Sequence, residues 1–214
     1  MESNKYLDDI SEIKNMMSRS SRFMSLSGLS GILAGIYAII GAFIAKLNIG
    51  NYILSSNSSE FLSKTEFNQV YRFSDLAVNL LVIALSVIIA AVVTGVILTY
   101  NKAKKSGEKM WDVSSKRLLI NFVVPLIIGG LFCLILMQYG IAGLVAPTTL
   151  IFYGLACVNA SKYTLGKVRY LGYTNIIIGL VATQFIGYGL YFWALGFGVF
   201  HIFYGALMYF KDEK

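Results

Sequence analysis

His201 is the only histidine of this 214-residue chain, and it lies within a long uncharged segment. An ionisable side chain at membrane depth is costly to bury, and it often marks a site of proton relay or solute binding. At helical spacing His201 shares a face with Gly198 and Gly205, so the ring is predicted to point toward a neighbouring helix. The competing interpretation, which we favour, is a neutral imidazole hydrogen-bonded to a facing Tyr, Asn or Thr.

Uncharged polar side chains in the other apolar segments complete the candidate intramembrane site. Together with His201 they would line a path for a neutral or weakly polar solute: Asn79, Asn121, Asn175, Thr183 and Gln184. One histidine without carboxylates in the spans does not supply the three or four ligands of a metal site. The sequence therefore predicts neither a metal nor a cofactor.

Gly28-Leu29-Ser30-Gly31 resembles the GxSG serine motif of rhomboid intramembrane proteases, and His201 would complete a Ser/His dyad. In that family the motif lies on the fourth core span and is reached from the outer side, whereas here it lies on the first span near its cytoplasmic end. The family also places a glycine three residues after the histidine, where this chain has Tyr204. Helix packing explains the motif better, and we predict that the chain is not an enzyme.

Small residues recur at helical spacing on the first and last apolar segments. Ser27, Gly31 and Gly35 form a ladder on the first, and Gly198 and Gly205 share a face of the last. Such ladders let helix backbones approach closely in a membrane. They predict packing within the chain, with a homo-oligomer interface as the alternative.

Hydrophobic residues make up 57% of the chain, and the mean hydropathy is +0.67. Six stretches contain no charged residue, and each is near the ~20 residues that a helix needs to cross a bilayer: residues 26–45, 76–99, 118–138, 141–160, 170–186 and 190–210. The sequence therefore predicts an all-α integral membrane protein in which residues 26–214 form a single domain of six transmembrane helices.

Basic residues are distributed unevenly between the two sides that six spans define. Fifteen of the 18 Lys and Arg residues fall on the side of the termini, and three fall on the opposite side. Since basic residues are retained in the cytoplasm, both termini are predicted to be cytoplasmic, with an outer loop at 47–75 and a basic inner loop at 101–117. We expect the bacterial cytoplasmic membrane. Topology accounts for the net charge of +7, so nucleic-acid binding need not be invoked.

Two local patterns predict helices outside the spans. Residues 1–25 carry apolar side chains at spacings of three and four, which is typical of a cytoplasmic amphipathic helix. Ser63 and Glu66 form a capping box, so a helix should begin near Lys64 and lead toward the second span.

An internal repeat links the last four spans. Ile-Phe-Tyr-Gly occurs at 151–154 and again at 202–205, and Gly130 and Tyr139 match Gly179 and Tyr188 at a constant offset of 49. A similar, looser spacing of Arg, Gly and Lys relates the first two spans to the others. The pattern predicts three tandem helical hairpins, and chance matching of apolar strings is the alternative.

Two classes of function remain. The first is a non-enzymatic membrane protein that acts in sensing, stress tolerance or assembly with partners, favoured by the absence of charge within the spans. The second is a channel or transporter for a neutral or weakly polar small solute. The expected partners are the lipid bilayer and either a second copy of the chain or another membrane protein.

Cys133 and Cys157 fall toward opposite leaflets, about 16 Å apart in depth, so we expect free thiols.

Overall fold

A computed structural model of the chain describes residues 27–59, 66–105, 107, 111–164 and 168–212. The predicted helix at 1–25 and the capping residue Ser63 lie outside the described residues. Five helices come first: α1 (Gly28–Ser59), α2 (Glu66–Lys105), α3 (Val113–Gln138), α4 (Val145–Ala160) and α5 (Val168–Ala182). The last span then combines α6 (Gly189–Trp193), a π-helical segment (Ala194–Val199) and α7 (Phe200–Asp212).

Within the described ranges, five helical segments are long and apolar enough to cross a membrane: Gly28–Ser55, Asp75–Lys105, Val113–Gln138, Ala142–Tyr163 and Gly189–Phe210. Their outward faces are apolar, as Leu54, Ile89 and Ile120 illustrate with exposed fractions of 70%, 61% and 62%. Exposure of so large an apolar surface to water is unfavourable, whereas contact with lipid is not. The architecture is that of a helical membrane protein.

The fifth predicted span is shorter than the sequence pattern indicated. α5 has 15 residues, a rise of about 22 Å, which is less than the hydrocarbon core of about 30 Å. It ends where Gln184 and Phe185 donate to carbonyls three residues back, and Gly187 then adopts a φ of +99°. This turn occupies the last part of the predicted 170–186 segment.

Helix also extends into the region predicted as the outer loop. α1 continues to Ser59 and α2 begins at Glu66, so only a short connection separates the two helices. Residues 48–59 contain no proline and one glycine, Gly50, so nothing in this stretch ends the helix.

The helices form an open ring. α1 packs against α2 and against the last span, while α4 packs between α3 and α5. The last span contacts α1, α4 and α5, which joins the two groups. In the described part of the chain α2 and α3 form no close-packed interface with each other, so they are the two free edges of the ring.

Glycines let α1 and the last span meet backbone to backbone. A Cβ atom placed on Gly205 would lie 2.6 Å from the amide nitrogen of Ile32 and 2.7 Å from the carbonyl oxygen of Gly28. A Cβ on Gly35 would lie 2.6 Å from the carbonyl oxygen of Gly198. The small-residue ladder therefore packs within the chain.

The crossing of α4 and α5 has the same construction. A Cβ on Gly154 would lie 2.6 Å from the carbonyl oxygen of Gly172, and a Cβ on Gly179 would lie 2.9 Å from that of Pro147. Gly154 and Gly205 end the two copies of the repeated tetrapeptide, and each lies at a close helix crossing.

Candidate functional site

His201 is buried, and both of its ring nitrogens have partners. Nδ1 lies 2.9 Å from the carbonyl oxygen of Gly196, and Nε2 lies 2.6 Å from the hydroxyl oxygen of Tyr153. A carbonyl can only accept, so Nδ1 carries the proton and donates it to Gly196. Nε2 then accepts from the Tyr153 hydroxyl. A neutral imidazole thus satisfies both contacts without a buried charge.

The backbone partner of His201 comes from the π-helical segment Ala194–Val199. A π-helical turn shifts the backbone hydrogen bonds by one residue, which makes carbonyl groups accessible to side-chain donors. Gly196 lies in the middle of this segment, five residues before His201. The local widening of the helix thus gives the imidazole its acceptor.

Aromatic rings surround the Tyr153–His201 pair. The Phe197 ring centroid lies 4.9 Å from that of Tyr153 and 5.8 Å from that of His201. Phe122 of α3 meets Tyr153 edge to face at 5.9 Å. These contacts restrict both rings, so the hydrogen bond has a defined geometry.

A cavity of about 240 Å³ lies beside this pair. Its walls come from the end of the bundle where α1, α3 and α5 begin and where α2, α4 and α7 finish. Most of the lining is apolar or glycine, and none of the lining residues is an Asp, Glu, Lys or Arg. The polar members include Ser27, Ser30, Tyr153, Cys157, Thr164 and His201. The site can therefore hold a small uncharged molecule.

Of the six predicted polar site residues, only His201 lines this cavity. Asn175 is fully buried on α5, where its Nδ2 donates to the carbonyl of Leu171 at 3.0 Å. Its Oδ1 has no hydrogen-bond partner among the described residues and lies 2.6 Å from the position that a Cβ would take on Gly196. An α-hydrogen of Gly196 thus points at this oxygen, as in a weak Cα–H···O contact.

Asn121 takes part in a contact between α3 and α4. Its Nδ2 donates to the carbonyl of Arg117 at 2.8 Å, and its Oδ1 accepts from Nδ2 of Asn159 at 3.0 Å. This network holds the two helices together outside the cavity lining.

The other three predicted residues lie apart from His201. Asn79 is exposed on α2. Thr183 donates to the carbonyl of Leu180 at 2.6 Å, and Gln184 donates to the Thr183 hydroxyl at 3.1 Å, both in exposed positions after α5. The structure therefore does not gather the predicted polar set around one path.

Ser30 also lies in the cavity wall, but its hydroxyl donates to the carbonyl of Ser27 at 2.6 Å. The nitrogens of His201 are engaged by Tyr153 and Gly196. The hydrogen bonds thus do not join Ser30 to His201 as a Ser/His dyad would require.

Sequence reasoning missed Tyr153 and Cys157 as site residues. Tyr153 belongs to the first copy of the repeated tetrapeptide, and His201 immediately precedes the second copy. The position equivalent to His201 in the first copy is Leu150, which is fully buried. The repeat draws attention to Tyr153 and to the position of His201, but only the fold shows that these two side chains meet.

Cys133 and Cys157 are both free thiols, as predicted, and both are buried. Cys133 lies on α3 with its sulfur 3.9 Å from the carbonyl oxygen of Val145, whereas Cys157 lines the cavity. Cys157 is therefore the thiol that a molecule in the cavity would meet.

Comparisons with known protein families, with characterised proteins and with solved structures find no match for this chain.

Proposed function

We propose that the chain is a non-enzymatic membrane protein that senses a small, neutral, weakly polar molecule by binding it in the cavity beside His201. The observation that carries the proposal is this uncharged cavity of about 240 Å³ within the helix ring. An apolar cavity of about 150 Å³ accommodates benzene, so this one suits a somewhat larger molecule.

The lining supports a neutral ligand in preference to a charged one. A charge moved from water into this cavity would lose its hydration and would find no ion of opposite sign on the walls. Neutral polar groups can be matched by the hydroxyl and thiol groups of Ser27, Thr164 and Cys157. A largely apolar molecule with one or two hydrogen-bonding groups fits best.

In its membrane, the proposed arrangement is six spans with both termini cytoplasmic, organised as three tandem hairpins in the bacterial cytoplasmic membrane. The distribution of basic residues supports this orientation. The cavity then belongs to the cytoplasmic half of the protein, because Ser27 lies at the start of α1 and Met208 near the end of α7. Binding of a molecule in the cavity would then be signalled through the cytoplasmic ends of the helices.

Transport of the same class of molecule is the second candidate. The observation that favours it is the π-helical segment beside the site, because irregular helical turns are common where membrane proteins move. Against it, backbone-to-backbone contacts close the ring between α1 and the last span at Gly35 and Gly198. Sensing requires only the state described, whereas transport requires a second state open to the other side.

The test is ligand-dependent stability in variants that differ only in whether the cavity is filled. Gly95 lines the cavity, and a Cβ atom added there meets no atom within 4 Å, so we expect the ring of Gly95→Phe to occupy part of the space. Gly130 on α3 also has no atom within 4 Å of an added Cβ atom but lies outside the lining, so Gly130→Phe is the matched control.

A panel of small neutral aromatic and aliphatic alcohols should contain compounds that raise the unfolding temperature of the wild type and of Gly130→Phe. At a concentration of 100 times Kd the gain is about 2.7 kcal/mol. The same compounds should leave Gly95→Phe unchanged. Equal stabilisation of all three proteins would contradict the proposal. Flux of the stabilising compound into proteoliposomes, abolished by Gly95→Phe, would decide for transport.

A further inference from the structure

We infer that the cavity opens sideways to the lipid between α2 and α3 and that it receives an acyl chain of an anionic lipid from the cytoplasmic leaflet. The inference goes beyond the proposed function, because the acyl chain is a second occupant of the same cavity, distinct from the small neutral molecule.

The opening follows from the arrangement of the helices. Ala91 and Gly95 of α2 and Leu118 and Phe122 of α3 all line the cavity. These two helices nevertheless form no close-packed interface with each other among the described residues. The described helix contacts therefore leave the cavity open between these two helices, on the side that would face lipid in a bilayer. Elsewhere the ring is closed by packed helices.

Gly95 shows that this side of the cavity is open. A Cβ atom at that position would meet no atom within 4 Å, whereas a Cβ on Gly31, which lines the cavity from α1, would lie 3.2 Å from the Cα atom of Gly205. Glycine at position 95 thus removes the side chain that would stand in the gap. A larger side chain at position 95 should therefore narrow the opening.

Charge at the inner end of the opening favours anionic lipid. Lys104 and Lys105 are exposed at the end of α2, and Lys116 and Arg117 are exposed at the start of α3. Asp112, the acidic residue in the described part of this connection, accepts hydrogen bonds from Ser115. Basic residues at the cytoplasmic surface attract anionic head groups.

The lipid head group must supply the selectivity between lipids, because the acyl chain cannot. An acyl chain that moves from the bilayer into an apolar cavity leaves one hydrocarbon environment for another, so it gains little from the hydrophobic effect. Zwitterionic and anionic lipids with identical chains therefore differ only at the four basic residues. A preference for the anionic lipid of about tenfold corresponds to one or two such contacts.

The experiment places a fluorescent reporter in the cavity and a quencher on the lipid chain. The protein carries Trp111→Phe and Trp193→Phe, with Phe122→Trp as the reporter in the cavity wall. It is reconstituted into vesicles of phosphatidylcholine that contain, at equal mole fraction, either phosphatidylglycerol or phosphatidylcholine with brominated acyl chains. The variants Gly95→Phe and Gly130→Phe are compared in the same background.

Brominated phosphatidylglycerol should quench the reporter at a mole fraction about tenfold lower than brominated phosphatidylcholine does. Gly95→Phe should abolish this difference, and Gly130→Phe should preserve it. Replacement of Lys104, Lys105, Lys116 and Arg117 by Gln should equalise the two lipids. The inference is overturned if the lipids quench alike in the parent protein, or if Gly95→Phe and Gly130→Phe behave alike. The proposed function is tested separately by the small alcohols. If they stabilise the protein although the lipid inference has failed, the proposed function stands, and if they do not stabilise it, the proposed function is wrong.

Discussion

The hydroxyl of Tyr153 on α4 lies 2.6 Å from Nε2 of His201 on α7, and this contact joins the two copies of the repeated segment across the bundle. Tyr153 lies inside the first Ile-Phe-Tyr-Gly, and His201 directly precedes the second. Because Nδ1 of the same ring donates to Gly196, one imidazole ties α4 to the π-helical segment. The pair therefore stabilises the bundle beside the cavity.

Tyr153→Phe removes the donor to Nε2 and leaves that nitrogen buried without a partner. We expect a loss of about 1 kcal/mol in the free energy of unfolding, in the range measured for hydrogen bonds between membrane helices. His201→Gln, which keeps a polar side chain but not the two-sided geometry of the ring, should cost a similar amount. Both are measured by reversible unfolding in mixed micelles.

A double-mutant cycle separates this contact from general destabilisation. Tyr153→Phe and His201→Gln should couple by about 0.6 to 1.7 kcal/mol. The control is Tyr37→Phe, which removes a hydroxyl 3.2 Å from that of Thr94 at the contact of α1 and α2. Its effect should add to that of His201→Gln without coupling. Additive behaviour of the Tyr153 pair would mean that the hydrogen bond contributes nothing.

The two tetrapeptide glycines should be equally intolerant of a side chain. Gly205→Ala places a Cβ atom 2.6 Å from the amide nitrogen of Ile32, and Gly154→Ala places one 2.6 Å from the carbonyl oxygen of Gly172. Backbone atoms cannot move aside locally, so the helices must separate, at a cost of about 1 to 3 kcal/mol.

Gly50→Ala is the matched control for these substitutions, since an added Cβ there meets no atom within 4 Å. Alanine is the better helix former, so this variant should be neutral or more stable by up to about 1 kcal/mol. Unfolding midpoints of the three variants in one detergent test the prediction. It is wrong if Gly154→Ala or Gly205→Ala unfolds like Gly50→Ala.

The start of α3 should lose stability in acid. Burial raises the pKa of Asp112, whereas hydrogen bonds from the Ser115 side chain and from backbone N–H groups lower it. The lowering is the larger effect in sum, so the pKa lies below its ordinary value. A carboxyl with a depressed pKa stabilises the folded form above its unfolded pKa, about 3.9, and this stabilisation disappears as the pH falls through the folded pKa.

Asp112→Ala should therefore cost about 1 kcal/mol at neutral pH and progressively less below about pH 4. Asp112→Asn keeps an N-cap acceptor and should show no acid-dependent loss at this position. Hydrogen exchange of the Ser115 amide, followed as a function of pH, measures the effect. An identical pH profile for wild type and Asp112→Asn would contradict it.

Both termini are predicted to face the cytoplasm. A C-terminal alkaline phosphatase fusion should be inactive, and a fusion truncated within residues 47–75 should be active as the positive control. An active C-terminal fusion would contradict the cytoplasmic placement of the C-terminus and, with the N-terminus inside, the count of six spans.

Much of the architecture can be predicted from the sequence, because lipid imposes a simple rule on composition. Apolar stretches of about 20 residues must form helices, since each backbone polar group needs a partner inside the segment. That rule located the five long apolar helices in the part of the chain that the structure describes. It did not predict the early end of α5, where Gln184 and Phe185 form a turn. Nor did it predict the π-helical segment, whose sequence is as apolar as its surroundings.

The candidate site depended on contacts between helices, which spacing along one helix does not reveal. The sequence by itself determined that His201 lies on a glycine face, so that its ring is buried, and that Gly205 permits a close crossing. Only the tertiary structure decided that Tyr153 is its partner, that Asn79, Thr183 and Gln184 lie elsewhere, and that a cavity remains between α2 and α3. The physical reason is that lipid rewards every apolar surface equally, so the choice of neighbour rests on close packing and a few hydrogen bonds that form only when the bundle assembles.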